Sequence, residues 1–172
     1  MTLDGFCDHT GMIADEEIHQ HYTDLLSNAD AVLYGRITYQ LMQFWQTLIK
    51  NPSGEKSMDD FALAIDKIPK IVFSNTLNNT EWDSAKLANQ PVEKMASDLK
   101  QQPGKDIFVG SRSLIIQLMK LNLIDEYQLC VHPVVAGCGL PLFENINDRT
   151  ILKHIKTKTF SGGAVTLYYE RK

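Results

Sequence analysis

The spacing of apolar residues predicts several helices along the chain. Residues 15–27 place Ile18, Tyr22, Leu25 and Leu26 on one helical stripe, with acidic residues at the N-terminal end where the helix dipole favours them. Helical spacing also predicts helices over residues 37–49, 58–66, 91–102 and 113–121. Residues 51–57 are rich in turn-forming residues, which indicates a surface loop.

Strands are predicted between these helices. Short apolar runs indicate buried strands at 31–34, 70–75 and 106–110, and residues 126–135 alternate with the period of a half-buried strand. Two alternating runs, 152–160 and 164–171, surround a Ser-Gly-Gly turn and predict an antiparallel hairpin.

Strands that alternate with helices predict a mostly parallel sheet covered on both faces. The predicted fold is therefore α/β, a three-layer α-β-α sandwich with a mixed sheet and a C-terminal antiparallel hairpin. The 172 residues are close to the usual size of one domain, so we expect a single domain over residues 1–172.

Composition excludes several classes of protein. The net charge of −4 argues against nucleic acid as the main partner, because nucleic-acid binding needs a basic face. No apolar run approaches the roughly 18 residues of a membrane-spanning helix, and the first residues do not form a signal peptide. The cysteines at positions 7, 130 and 138 have no metal-binding spacing, which indicates reduced thiols and a cytoplasmic location.

Three segments carry small polar residues where a predicted strand ends, and ligands of open α/β sheets bind at that edge. The segments contribute Gly35, Arg36 and Thr38; Ser74 and Asn75; and Gly110, Ser111, Arg112 and Ser113. Such residues can hold a phosphate by charge, hydroxyl groups and backbone N–H groups, but they can equally cap helices. Neither the dinucleotide-binding glycine motif nor a Walker loop is present.

The chain resembles the dihydrofolate reductase-like superfamily, and within it the branch of the C-terminal reductase domain of riboflavin biosynthesis. The resemblance rests on "TLDGF" at 2–6, "LYGRITY" at 33–39, "KIVFSNTL" at 70–77 and the long stretch from "IFVGSRSL" to "GLPLF" at 107–143. It implies an NADPH-dependent reductase that transfers a hydride to a small heterocyclic or carbonyl substrate, and a homodimer.

The resemblance also implies roles for the residues named above. Gly35, Arg36 and Thr38 would hold the adenosine phosphates, Ser74 the 2′-phosphate edge, and residues 110–113 the diphosphate. Asp4 would face the nicotinamide and the substrate. His19 is a second candidate catalytic residue, because a histidine near a bound ring can donate a proton.

Four departures from the family pattern keep an alternative open. The family has a strand before the segment "TLDG", in the middle of the sheet, so we expect a gap there that a neighbouring element or chain fills, unless the chain begins late. Asn75 replaces a frequent arginine, which leaves the preference for NADPH over NADH open. Val109 replaces a substrate-binding glutamate, and the pterin-binding acid of folate reductases has no counterpart near His19. The alternative is a non-catalytic nucleotide- or ligand-binding protein on the same scaffold.

Overall fold

Helices and strands alternate through the described part of the chain, which comprises residues 1–7, 12–146 and 149–172 of a computed structural model. The elements are α1 (Glu16–Ser27), β1 (Ala29–Gly35), α2 (Arg36–Lys50), α3 (Lys56–Lys67), β2 (Lys70–Phe73), β3 (Ala85–Leu87), α4 (Val92–Lys100), β4 (Asp106–Val109), α5 (Arg112–Lys120), β5 (Glu126–Val131), β6 (Leu152–Thr159) and β7 (Val165–Arg171). Every predicted helix and strand is present, with ends shifted by a few residues. The three-residue strand β3 was not predicted.

The first four strands form a parallel sheet in the order β3-β2-β1-β4. β1 lies inside this sheet, and successive side chains of a strand point to opposite faces. Val32 and Tyr34 pack with α1, α2 and α3, whereas Leu33 packs with α4 and α5 on the other face. Both faces of β1 are therefore buried, which explains the continuous apolar run of its sequence.

The last three strands form a separate antiparallel sheet in the order β5-β7-β6. The predicted hairpin is β6 and β7, closed by the Phe160 N–H donating to the Ala164 carbonyl at 2.9 Å. Gly163 has φ +85° in this turn, a conformation that glycine adopts without strain. The predicted α/β sandwich with a mostly parallel arrangement and a C-terminal hairpin is confirmed.

β4 and β5 are edge strands of the two sheets. Among the described residues, no strand pairs with both of them, and the gap expected from the family pattern stays a prediction. A 520 Å³ cleft lies between α1 and the antiparallel sheet, and it is lined by His21, Leu25, Asp106, Glu126, Gln128, Lys156, Lys158 and Tyr168. The first residues run parallel to the segment that follows β5, through a bridge between Thr2 and His132.

Candidate functional site

The carboxyl ends of β1 and β4 lie side by side and lead to opposite faces of the sheet. β1 continues into α2, which packs on one face, and β4 continues into α5, which packs on the other. The chain therefore diverges between the two strand ends, and we call the surface between them the crevice. In open α/β sheets, a crevice at such a reversal is the usual ligand site.

Two predicted segments meet in this crevice. The Gly35 N–H donates a hydrogen bond to the Ser111 Oγ at 2.7 Å. A Cβ atom at Gly35 would lie 3.5 Å from the Ser113 Oγ, so both serines line the space beside this glycine. The residues at the end of β1 and those at the start of α5 thus form one continuous surface.

Gly110 is required for packing within the protein. A Cβ atom there would lie 2.7 Å from the Cε1 atom of Tyr34, whose ring is buried. Burial also raises the pKa of the Tyr34 hydroxyl. Only glycine leaves room for a group this close to the backbone, and the Tyr34 ring already occupies that room.

The helices that begin at the crevice differ from the others in their first turns. α2 and α5 have no acidic residue there. The other three described helices carry acids in their first turns: Glu16 and Glu17 in α1, Asp59 in α3 and Glu93 in α4. Acids at these positions stabilise a helix, and the N–H groups at a helix start attract anions. Two adjacent helix starts without acids therefore form a surface suited to an anion.

Each of these two helices begins with an arginine. Arg36 is exposed, and its Nη1 donates to the Gln40 side chain one turn further along α2 at 3.1 Å. This contact between solvated neighbours is weak, so the guanidinium is free to meet a ligand. Thr38 lies half-buried in the same first turn.

Arg112 is held by protein groups. Its Nε donates to the Pro141 carbonyl at 2.5 Å, and its Nη2 forms an ion pair with the Glu144 carboxylate at 2.5 Å. Only 18% of the arginine side chain is exposed. Glu144 was not predicted as part of the site, because its segment has no secondary structure and it stands far from Arg112 in the sequence.

The third predicted segment follows β2. The Ser74 Oγ accepts the N–H groups of Thr76 and Leu77 at 3.1 and 3.0 Å, which closes a turn at the end of the strand. Asn75 is exposed at this turn. Because β2 pairs with β1 on the side away from β4, this turn lies at the same edge of the sheet, one strand further along.

Asp4 lies on an exposed turn. Its carboxylate accepts the N–H groups of Ala136 and Gly137 at 3.2 and 2.7 Å. Hydrogen bonds from the Thr2 hydroxyl and the Gly137 N–H lower the Asp4 pKa to about 2. Asp4 is therefore ionised at neutral pH, where it can anchor the segment around residue 136 and cannot donate a proton.

His19 lies on α1 against aromatic side chains. Its ring contacts Trp45 edge-on, with centroids 5.6 Å apart, and lies 6.1 Å from Phe61. Burial lowers the His19 pKa, and the nearby Asp15 carboxylate opposes this shift only in part. The imidazole is therefore mainly neutral at neutral pH.

Other chemistry-bearing features lie away from the crevice. His132 is buried and accepts the Ile13 N–H at 3.3 Å. Within residues 1–7, 12–146 and 149–172, no cluster of histidine, cysteine, aspartate or glutamate could hold a metal.

A second cavity, of 390 Å³, lies at the amino end of β2, between Trp82, Asp66 and the C-terminal turn of α2. No helix of the described chain is long and apolar enough to cross a membrane.

The sequence matches a protein family over nearly its whole length. The family model of the RibD C-terminal domain matches residues 1–166. The uncharacterized protein YyaP of Bacillus subtilis (strain 168) is 37% identical over 98% of this chain and 90% of its own length. YwjB of the same strain, likewise uncharacterized, is 30% identical over 87% of this chain and 78% of its own length.

Solved structures show the same fold at low sequence identity. A putative riboflavin biosynthesis protein from Shewanella sp. PV-4 is 19% identical, with a TM-score of 0.72 over 99% of this chain and 94% of its own. The diaminohydroxyphosphoribosylaminopyrimidine deaminase/5-amino-6-(5-phosphoribosylamino)uracil reductase of Thermotoga maritima is 17% identical, with a TM-score of 0.62. This chain covers 54% of that protein, about half of its length.

Proposed function

Because the chain belongs to the family of the RibD C-terminal domain, we propose that it is a reductase that binds NADPH in the crevice between β1 and β4. It would transfer a hydride to a small heterocyclic or carbonyl substrate. The observation that carries the proposal is the pair of helix starts at this crevice, which lack acids and each begin with an arginine. Such a surface offers N–H groups and positive charge to a diphosphate.

Different residues at the crevice would bind different parts of the cofactor. Residues 110–113 and the N-terminal turn of α5 would take the diphosphate, and Gly35 with Arg36 and Thr38 would take the adenosine phosphate. Ser74 and Asn75 stand one strand further along the same edge, within the reach of an extended dinucleotide, and would meet its 2′-phosphate end. All of these groups would bind and orient the cofactor. The nicotinamide supplies the hydride when it is bound.

The two candidate catalytic residues take different roles. Asp4 has a pKa of about 2, so it serves as a fixed acceptor that positions the segment around residue 136 beside the substrate. His19 is the remaining candidate for the proton donor, and its pKa is lowered by burial. A rate that depends on protonated His19 falls as pH rises through that lowered pKa, and His19→Gln removes this limb of the pH profile.

Binding is tested by thermal unfolding of the purified chain with NADPH, with NADH and without ligand. A ligand at about 100 times its dissociation constant adds roughly 2.7 kcal/mol to the native state. We expect Arg36→Ala to reduce the NADPH shift more than the NADH shift, and Arg171→Ala, which removes an equal charge from β7, to leave both unchanged. Equal losses for the two nicotinamides would place Arg36 away from the 2′-phosphate, and no shift in the unmodified chain would refute the cofactor.

The second candidate function is a nucleotide-binding protein without turnover. It is favoured by Val109, which replaces a glutamate that holds substrate in the family pattern. A screen of NADPH oxidation against carbonyl and heterocyclic acceptors separates the two: stabilisation by NADPH without oxidation of any acceptor favours the binder.

We also propose that the chain forms a homodimer. Along α2, Ile37, Leu41 and Phe44 are 65%, 39% and 53% exposed and lie on one stripe, which a second copy can cover. Light scattering at micromolar concentration should give twice the mass of the chain, and a monomer mass would refute the dimer.

A further inference from the structure

Arg112 occupies an unusual position for a buried cation. It is the first residue of α5, where the helix dipole repels positive charge, and its side chain is only 18% exposed. An acid in the first turn of α5 would offset this charge, but that turn has none. The compensating carboxylate comes instead from Glu144, which lies outside the regular elements of the fold.

The contact between the two side chains leaves hydrogen-bonding capacity unused. The Nη2 atom of Arg112 is buried and lies 2.5 Å from a Glu144 oxygen, yet it donates no well-directed hydrogen bond. Glu144 itself is 40% exposed, so its carboxylate can leave towards solvent. An arginine usually meets an oxyanion through two parallel hydrogen bonds, and this pair does not reach that geometry.

We propose that Glu144 is a replaceable counter-ion, which occupies Arg112 in the ligand-free protein and is displaced by the diphosphate of a bound nucleotide. This inference rests on the proposed function, since it assigns the diphosphate to the crevice that contains Arg112. It makes Glu144 a residue that weakens nucleotide binding and thereby adjusts its affinity.

Displacement links the ligand to the segment that precedes Glu144. The Arg112 Nε donates to the Pro141 carbonyl, so the guanidinium now ties this segment to the start of α5. When the guanidinium turns towards a phosphate, this hydrogen bond to Pro141 is weakened. The hydrogen bonds from the backbone of residues 136 and 137 to the Asp4 carboxylate remain. Nucleotide binding is therefore expected to release the Glu144 side chain, whereas the backbone hydrogen bonds of Leu140 and Leu142 to residues 7 and 5 hold the preceding residues in place.

The test compares two variants with the same change of charge. Glu144→Gln removes the competing carboxylate and keeps its size. Glu170→Gln is the matched control, because Glu170 is 43% exposed, pairs with Lys153 at 2.7 Å and lies on the antiparallel sheet. Isothermal titration calorimetry measures the affinity of each variant for NADPH and for inorganic pyrophosphate.

We expect Glu144→Gln to bind both probes roughly three- to tenfold more tightly than the unmodified chain, because a partly exposed ion pair no longer competes. Glu170→Gln should stay within about twofold of the unmodified chain, since it changes only the distant field of the protein. Equal affinities of the two variants would overturn the inference and leave the proposed function intact. An unmodified chain that binds neither probe would overturn both.

A second measurement needs no substitution at Glu144. The Nε–H signal of Arg112, assigned by its loss in Arg112→Lys, reports the hydrogen bond to Pro141. We expect pyrophosphate to shift this signal in the unmodified chain. A signal that stays in place at saturating pyrophosphate would show that Arg112 keeps its protein partners and would refute the displacement, even if Glu144→Gln fails to fold.

Discussion

Ser113→Asp places a carboxylate in the first turn of α5, at the edge of the crevice. The proposed site predicts opposite effects of this change on the free protein and on the complex. Ser113 is exposed and is the second residue of a helix that has no acid in its first turn and no side-chain cap. A carboxylate at this position stabilises a helix by about 0.3–1 kcal/mol. In a chain of this size, such a gain raises Tm by about 1–4 °C.

The same carboxylate should prevent nucleotide binding. A phosphate held by the N-terminal turn of α5 would lie within about 5 Å of it, where two like charges repel by roughly 3 kcal/mol at an effective dielectric constant of 20. That repulsion is about as large as the roughly 2.7 kcal/mol that NADPH contributes at 100 times its dissociation constant. The thermal shift with NADPH, about 5–11 °C for the unmodified chain, should therefore nearly vanish.

The control is Ser57→Asp, the same substitution at the second position of α3. The first turn of α3 already contains Asp59, whose carboxylate accepts the Ser53 and Gly54 N–H groups at 2.8 and 3.2 Å. Ser57→Asp should change Tm little and leave the NADPH shift intact. A Ser113→Asp chain that is less stable than the unmodified one, or that keeps its full NADPH shift, would refute the reasoning about this crevice.

Three further predictions concern stability and protonation. Gly110→Ala brings a Cβ atom to 2.7 Å from the Tyr34 ring and should cost about 1–3 kcal/mol in urea unfolding, whereas Gly35→Ala meets its nearest atom at 3.5 Å; equal effects would contradict this packing. Burial lowers the Lys70 pKa from 10.5 to about 8, so the unfolded chain binds more protons between these values and stability rises with pH in that window. Lys70→Met should lack this rise, and a rise of equal size in the variant would refute it. Asp4→Asn should speed hydrogen exchange at the two N–H groups that the carboxylate accepts, and unchanged rates would contradict that anchor.

Much of the fold follows from local sequence patterns, because both faces of the parallel strands are covered and their apolar runs are continuous. β3 escaped prediction because it has only three residues, and a run that short has no recognisable period. The strand predicted over 126–135 ends at Val131, before Pro133, which cannot donate a backbone hydrogen bond to a neighbouring strand. The loop predicted over 51–57 overlaps the first two residues of α3, since helix ends are weakly encoded.

The candidate site was less accessible to sequence reasoning. The carboxyl ends of parallel strands share one edge, so three polar segments at strand ends predict a common site. Which two of them meet depends on strand order, and the pairing of β1 with β4 has no local signal. The contact between the Gly35 N–H and the Ser111 Oγ therefore appears only in the folded chain.

The two arginines show why a motif alone does not assign a role. Arg36 and Arg112 each follow a strand and begin a helix, so the sequence describes them in the same terms. Arg36 starts a helix and is exposed, whereas Pro141 and Glu144 contact Arg112 and Glu144 supplies its carboxylate. A nucleotide that binds both arginines must order the solvated side chain of Arg36 and must displace Glu144 from Arg112. The first step costs mainly side-chain entropy, and the second also requires an ion pair to break. Glu144→Gln therefore changes the free energy of nucleotide binding at Arg112 and not at Arg36. The substitution can for this reason separate the contributions of the two arginines to nucleotide affinity.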